Sequence, residues 1–197
     1  MGCPCESCFR YRWQDWPGGL FFNVEFALFF SFTPTLLVFQ GRSPVDAGSL
    51  VSLGMWVSII SVPLGGYLTE RLGCPNAMIV IFSLLAGVAL FLFPYVPLPA
   101  LLSILVGLGI GAAGAIVALP AQALSPANRG PGLGIFYTWY YIAMALGPII
   151  AGVGRDLSGS PATPVLIGGA MFAVTVGSLA LFHWFRAKSR SAVVAEV

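Results

Sequence analysis

The sequence predicts an all-α membrane protein of six transmembrane helices, built as two three-helix repeats of opposite orientation. Three observations carry that reading. The first is composition: hydrophobic residues make up 58% of the 197 and charged residues only 8%. Mean hydropathy is +0.92, far more apolar surface than a soluble domain hides in one core. The second is a series of six long apolar runs, and the third is a match between residues 66–73 and residues 152–159.

A spanning helix needs roughly 20 mostly apolar residues to cross about 30 Å of hydrocarbon, and only a helix or a closed barrel satisfies its own backbone there. The runs cover 19–39, 47–68, 76–94, 98–120, 132–153 and 164–185. They are too continuous for barrel strands, which would alternate in polarity. Turn chemistry separates them, in "QGRSPVD", "TERLGCP", "YVPLP", "LSPANRGPG" and "RDLSGSPATP". The first run is expected to remain as a span, because a polar stretch precedes it and no small-x-small cleavage site follows a short apolar core. The expected organisation is a cytoplasmic segment over 1–18, a transmembrane domain over 19–187 and a cytoplasmic tail over 188–197, with nothing left for a soluble domain.

Orientation follows from the basic residues, since short loops retain Lys and Arg on the cytoplasmic side. An inside N-terminus collects Arg10, Arg12, Arg71, Arg129, Arg186, Lys188 and Arg190 there and leaves Arg42 and Arg155 outside. Both termini are therefore expected in the cytoplasm.

The internal match gives the architecture. "GYLTERLG", ending the second run, aligns with "GVGRDLSG", ending the fifth: glycine at the first and eighth places, and an acid at the fifth, Glu70 or Asp156. Pro63 and Pro148 precede the two copies, and Pro75 and Pro161 follow them. One copy would face the cytoplasm and the other the exterior, which is how inverted repeats of secondary transporters are arranged.

These residues bear a family likeness. "GGYLTERLG" resembles the loop motif of the major facilitator superfamily, in which glycine, an acid, arginine and glycine recur between the second and third helices of each half; here they are Gly66, Glu70, Arg71 and Gly73. Where the family pattern continues with basic residues, this chain has Cys74 and Pro75, an erosion usual in the second half of such transporters. "GPIIAGVGRDLSGSP" is similar to the eleventh helix of bacterial members. The likeness, over residues 19 to 187, implies the C-terminal six-helix half of a carrier, driven by a proton or solute gradient, in the bacterial inner (plasma) membrane. Its implied partners are the lipid bilayer, a small-molecule substrate, and an N-terminal six-helix half or a second copy, because one half cannot alternate access by rocking against itself. A fragment of a longer product and a chain that pairs both fit. A structural or regulatory membrane subunit that transports nothing stays open as the alternative.

Physically, Glu70 can face the positive N-terminal end of the third helix while Arg71 anchors the loop in the cytoplasm. A plain topology anchor with a salt-bridge neighbour explains the same pair. Glu25 is the only acid well inside a span. It stands about 9 Å along the helix from Gly19, and facing lipid it would cost about 2.5 to 3.5 kcal/mol at the helix centre and less near the interface. Two readings remain for it: a buried group that binds a cationic substrate or the coupling proton, or a shallow group that reaches headgroups or pairs with Arg12. Asn23, about 160° round the helix, does not extend a polar stripe with it.

In "FYTWYYIAM", Tyr137 and Trp139 suit the membrane interface. Tyr141 lies deeper than a belt residue needs, and its hydroxyl calls for a partner or a wet cavity. Tyr137, Tyr141, Met144 and Pro148 share a face that either lines a cavity or packs. Gly107, Gly111, Gly114 and Ala118 recur as one smooth stripe for close helix approach, with a hinge as the lesser alternative; Gly147 and Pro148 serve as packing positions in the fifth span.

The remaining features are weak. "GIGAAG" has the spacing of a dinucleotide fingerprint, but inside a spanning helix it carries no such meaning. Cys3, Cys5 and Cys8 are expected to be reduced thiols, with metal binding or lipidation as lesser readings, and His183 an interfacial residue. No catalytic residue, cofactor or metal ligand is expected, nor any nucleic-acid partner. The serine and histidine setting of an intramembrane protease is lacking, as is the paired Asn-Pro-Ala of a water channel.

Overall fold

The computed structural model describes residues 16–114, 116, 129–172, 174 and 177, and among them every regular element is helical. The helices are α1 (Trp16–Phe39), α2 (Pro44–Leu72), α3 (Pro75–Leu92), α4 (Pro99–Gly109), α5 (Arg129–Ser158) and α6 (Thr163–Phe172). Three of them, α1, α2 and α5, are long and apolar enough to cross a membrane, and α3, α4 and α6 are shorter apolar helices. At 1.5 Å per residue the 29 residues of α2 and the 30 of α5 run to about 45 Å, beyond the roughly 30 Å of hydrocarbon.

The extra length has a local cause. Apolar periodicity ends where water begins, whereas a helix ends where its backbone is capped. α2 starts at Pro44, three residues before the apolar run, because the Ser43 hydroxyl accepts from the Asp46 N–H at 3.1 Å and also donates to the Asp46 carboxylate at 2.8 Å. It continues past Leu68 through Glu70 and Arg71 and stops at Gly73, whose φ of +64° is cheap only for glycine. α5 stops the same way: Gly159 also has φ +64°, and its N–H reaches Arg155 O at 2.8 Å, as Gly73 N–H reaches Thr69 O at 3.1 Å. The two caps lie 86 residues apart in the chain.

Packing is organised in pairs. α1 packs on α2 and α5, while α4 packs on α2 and α3. The apolar core includes Phe29, Val51, Leu90, Phe93, Leu102 and Val106. α6 joins through Phe172, whose ring meets Phe22 edge-on at 6.1 Å, and through Gly168, which faces Leu28 and Leu90. Outward surfaces are strongly apolar: Trp56 is 70% exposed and Ile60 71%. Patches of that size on a soluble monomer would be a liability, but they suit lipid or another hydrophobic subunit.

Candidate functional site

The α2/α4 contact is built of glycines on both helices. A β-carbon on Gly107 would come to 2.5 Å from the Gly54 carbonyl oxygen, and one on Gly111 to 2.6 Å from Ser61 Oγ; Gly65 abuts the Gly111 carbonyl and Gly114 the Val62 carbonyl. Gly66 is nearer to open space, about van der Waals distance from Gly114. Side chains here would push backbones apart, so the stripe from Gly107 to Gly114 lies where helix meets helix at backbone distance. The 109–114 segment carrying the dinucleotide-like spacing is part of this seam. Gly147 plays a comparable part in α5, with its β position 2.5 Å from Val24 Cγ1, and Pro148 is half-buried beside it.

Glu25 lies on the other side of α1 from that contact. It is 1% exposed, and among the described residues neither carboxyl oxygen has a hydrogen-bond partner. Its flanks on the helix surface are Leu28, which meets Gly168, and Phe29, which packs on Gly54 and Phe93. α1 begins at Trp16 and not at Gly19, so Glu25 stands about 14 Å along the helix from its first residue. A carboxylate buried without a partner among the described residues is costly, and a proton or a cation would relieve that cost.

Asn23 is the residue that sequence reasoning undervalued. It is 2% exposed, and its side-chain amide donates to the Tyr140 carbonyl on α5 at 3.1 Å. Only the presence of an amide in an apolar run signals it; its partner is invisible without the fold.

Tyr137 and Tyr141 come together on α5. Their rings stack, with centroids 6.2 Å apart and planes at 27°, and Phe136 and Tyr140 continue the aromatic group. Phe136 and Gly147 face inward, whereas Tyr141 is 61% exposed. The two outer flanks of α5 differ in chemistry. Ile135, Trp139, Leu146 and Val153 form one, bulky and apolar; Gly134, Thr138, Tyr141 and Ala145 form the other, small or hydroxylated. Thr138 returns its hydroxyl to Gly134 O at 2.8 Å, whereas lipid tails would offer the Tyr141 hydroxyl nothing to bond.

At the α2 terminus Glu70 and Arg71 are both exposed, and among the described residues they form no ion pair with each other. Arg71 Nη1 instead donates to Tyr67 Oη at 3.4 Å, one turn back, and Thr69 Oγ1 donates to Gly65 O at 2.7 Å. Gly73 caps the helix, and α3 begins two residues on. Among the described residues no cluster of His, Cys, Asp or Glu is placed to hold a metal. Cys3, Cys5, Cys8, Arg10, Arg12, His183, Arg186, Lys188 and Arg190 lie outside the described residues.

The helical fold and the strongly apolar exterior define an integral membrane protein. The family model of the Major Facilitator Superfamily matches residues 16–196, and the chain belongs to that superfamily. Its members are transporters that act in a lipid bilayer on small-molecule substrates. Neither a curated protein nor a solved structure matches the chain significantly.

Proposed function

We propose that the chain is a six-helix half of a secondary transporter for a small solute and works with a second six-helix unit, an N-terminal half or another copy. The observation that carries this is the family match across residues 16–196 in a chain long enough for six spans. Two inverted three-helix units are supported by the matching glycine caps at 73 and 159 and by the exchange of partners between repeats, α1 lying on α5 as α4 lies on α2. The basic residues support cytoplasmic termini, and the family likeness is what suggests a bacterial inner membrane.

Within this reading Glu25 takes up the coupling proton, and Tyr137 and Tyr141 belong to the surface that meets the solute. Gly66, Glu70, Arg71 and Gly73 close the cytoplasmic end of α2 against α3. The decisive test is reconstitution into vesicles under an imposed pH gradient. Uptake is expected only when the chain is co-expressed with a compatible partner half. Robust uptake by the purified monomer would refute the half reading, and no uptake in any pairing would favour a subunit that does not transport. Reporter fusions test the topology: after Arg42 and Ser158 they are expected outside, and after Arg71, Arg129 and Lys188 inside.

A further inference from the structure

α4 does not run through the bundle as one regular helix. It ends at Gly109, turns at residues 110–111 and resumes at 112. Through this stretch the backbone bonds tighten to three-residue spacing: Gly111 N–H to Leu108 O at 3.0 Å, Ala113 N–H to Ile110 O at 2.9 Å and Gly114 N–H to Gly111 O at 3.2 Å. Such a tightened stretch inside a helix marks a hinge or a held distortion, and a side chain bonded into the ladder is one recognised cause.

That side chain is present. Ser61, on α2 and 3% exposed, donates its hydroxyl to Leu108 O at 2.6 Å. A regular helix would give the Leu108 carbonyl the N–H of Ala112; here it receives Gly111 N–H and a hydroxyl from the neighbouring helix. The flanking glycines keep the seat narrow. A β-carbon at Gly109 would approach Phe82 O on α3 to 2.7 Å, and one at Gly111 would approach Ser61 O on α2 to 2.9 Å. The break is therefore clamped from both neighbours by backbone, and one hydroxyl crosses to it.

A serine in a helix has another acceptor always at hand, the carbonyl four residues back. Thr69, Ser49 and Thr138 use theirs. Ser61 could turn likewise to the Val57 carbonyl, leaving Leu108 to Ala112 and letting α4 straighten. The two arrangements exchange one hydrogen bond for another, so the number of hydrogen bonds does not by itself favour either. We infer that Ser61 is the pin of a hinge in α4 at Gly109–Gly111: bonded to Leu108 it holds the helix broken, and on release the segment after the break realigns with the segment before it. Ser61 is a positioning residue in this role. The hinge is a property of the chain itself and does not depend on the transport reading.

Amide hydrogen exchange on the full chain in lipid nanodiscs tests it. Loss of one hydrogen bond worth about 0.5 to 1.5 kcal/mol corresponds to about a two- to tenfold change in a local opening equilibrium. Ser61→Ala is expected to change exchange by that factor at the amides of residues 111–114 while leaving residues 102–107 and α5 as they were. Ser58→Ala, which removes a hydroxyl that bonds only within α2, to Met55 O, is expected to leave the break unaffected. Unchanged exchange at 111–114 in Ser61→Ala, or a change spread evenly over the helices, would overturn the hinge. Should Ser61→Ala fail to fold, Ser61→Cys, a weaker donor of similar size, is expected to give a smaller change with the same pattern; a uniform or absent change there overturns it equally.

Discussion

The two helix seams, α2 on α4 and α1 on α5, answer one problem in different ways. Between α2 and α4 glycines stand on both sides, Gly54, Gly65 and Gly66 against Gly107, Gly111 and Gly114, and backbones come into direct contact. Between α1 and α5 the glycines stand on α5 and meet side chains, Gly147 receiving Val24 tightly and Gly152 facing Phe32 at 3.9 Å, and the polar link is one amide, Asn23 to the Tyr140 carbonyl. Lipid tails are as apolar as leucine, so helices gain from each other only what packing and hydrogen bonds supply. The first seam takes that gain from close backbone approach over several turns, and the second from side chains set against glycines and one bond. It follows that α5 is the more weakly held helix, which agrees with how little of it is buried.

The largest effect expected from this contrast is at the first seam. Gly111→Leu or Gly114→Leu puts side-chain atoms where Ser61 O, Val62 O and Gly66 N now sit. Ordinary overpacking costs about 1 to 3 kcal/mol, and here the obstruction is backbone, which cannot rotate away. Size-exclusion profiles after extraction should show loss of the folded, monodisperse species. A monodisperse Gly111→Leu protein with an unchanged melting temperature would mean that the seam is not a fixed element of the fold.

Next in size is a functional loss without a structural one. Glu25 lies on the face of α1 turned away from the α5 seam, among Leu28, Phe29 and their partners. In the reassembled transporter Glu25→Gln should abolish proton-coupled uptake while expression and solute exchange stay largely intact, because the amide keeps the shape and cannot titrate. Uptake measured from about pH 5.5 to 8.5 reads this directly. PH dependence equal to the wild type in that variant would remove Glu25 from the mechanism.

How much of this was legible before the fold was known varies with the kind of interaction. Pro44, Gly73, Pro75 and Gly159 act locally, and the sequence around them reads as helix ends. The apolar runs placed the helices but understated α2 and α5, since hydropathy stops at Leu68 and Val153 while capping carries the helices on to Leu72 and Ser158. Of the two readings of Glu70 and Arg71, a pair facing α3 and a salt-bridged anchor, the second gave Arg71 the wrong neighbour, since it turns back to Tyr67 along its own helix, where a partner one turn away needs no loop geometry. The acceptors of Asn23 and Ser61 could not be read at all. Both are backbone carbonyls on other helices, and any residue supplies one.

A smaller loss is expected where the second seam is cut. Asn23→Leu keeps the volume and removes the bond to Tyr140 O. Hydrogen bonds between membrane helices are worth about 0.6 kcal/mol on average and up to about 1.7. At roughly 2 to 4 °C per kcal/mol for a chain of this size, the melting temperature should fall by a few degrees at most, with α5 amides exchanging faster than those of α2. An equal acceleration in both helices would erase the distinction between the seams.

The smallest perturbation probes which side of the weakly held helix meets water or protein and which meets lipid. Single cysteines at Thr138, Ala145, Ile142 and Leu146, in a background with Cys3, Cys5, Cys8 and Cys74 replaced by alanine, leave the packing face of α5 intact because all four positions are exposed. Thr138 and Ala145 lie on the flank with Tyr141, where hydroxyl groups and small side chains gather; Ile142 and Leu146 lie toward the flank of bulky aliphatic residues. A thiol reacts with a water-soluble thiosulfonate only as thiolate, which requires water at the sulfur. In native membranes with the partner half present, Thr138→Cys and Ala145→Cys should be labelled, and solute should slow the reaction. Ile142→Cys and Leu146→Cys should stay unlabelled, as expected of lipid-facing positions. Equal labelling on both flanks, or labelling on the aliphatic flank alone, would take Tyr137 and Tyr141 off the solute surface and return them to a role in helix packing.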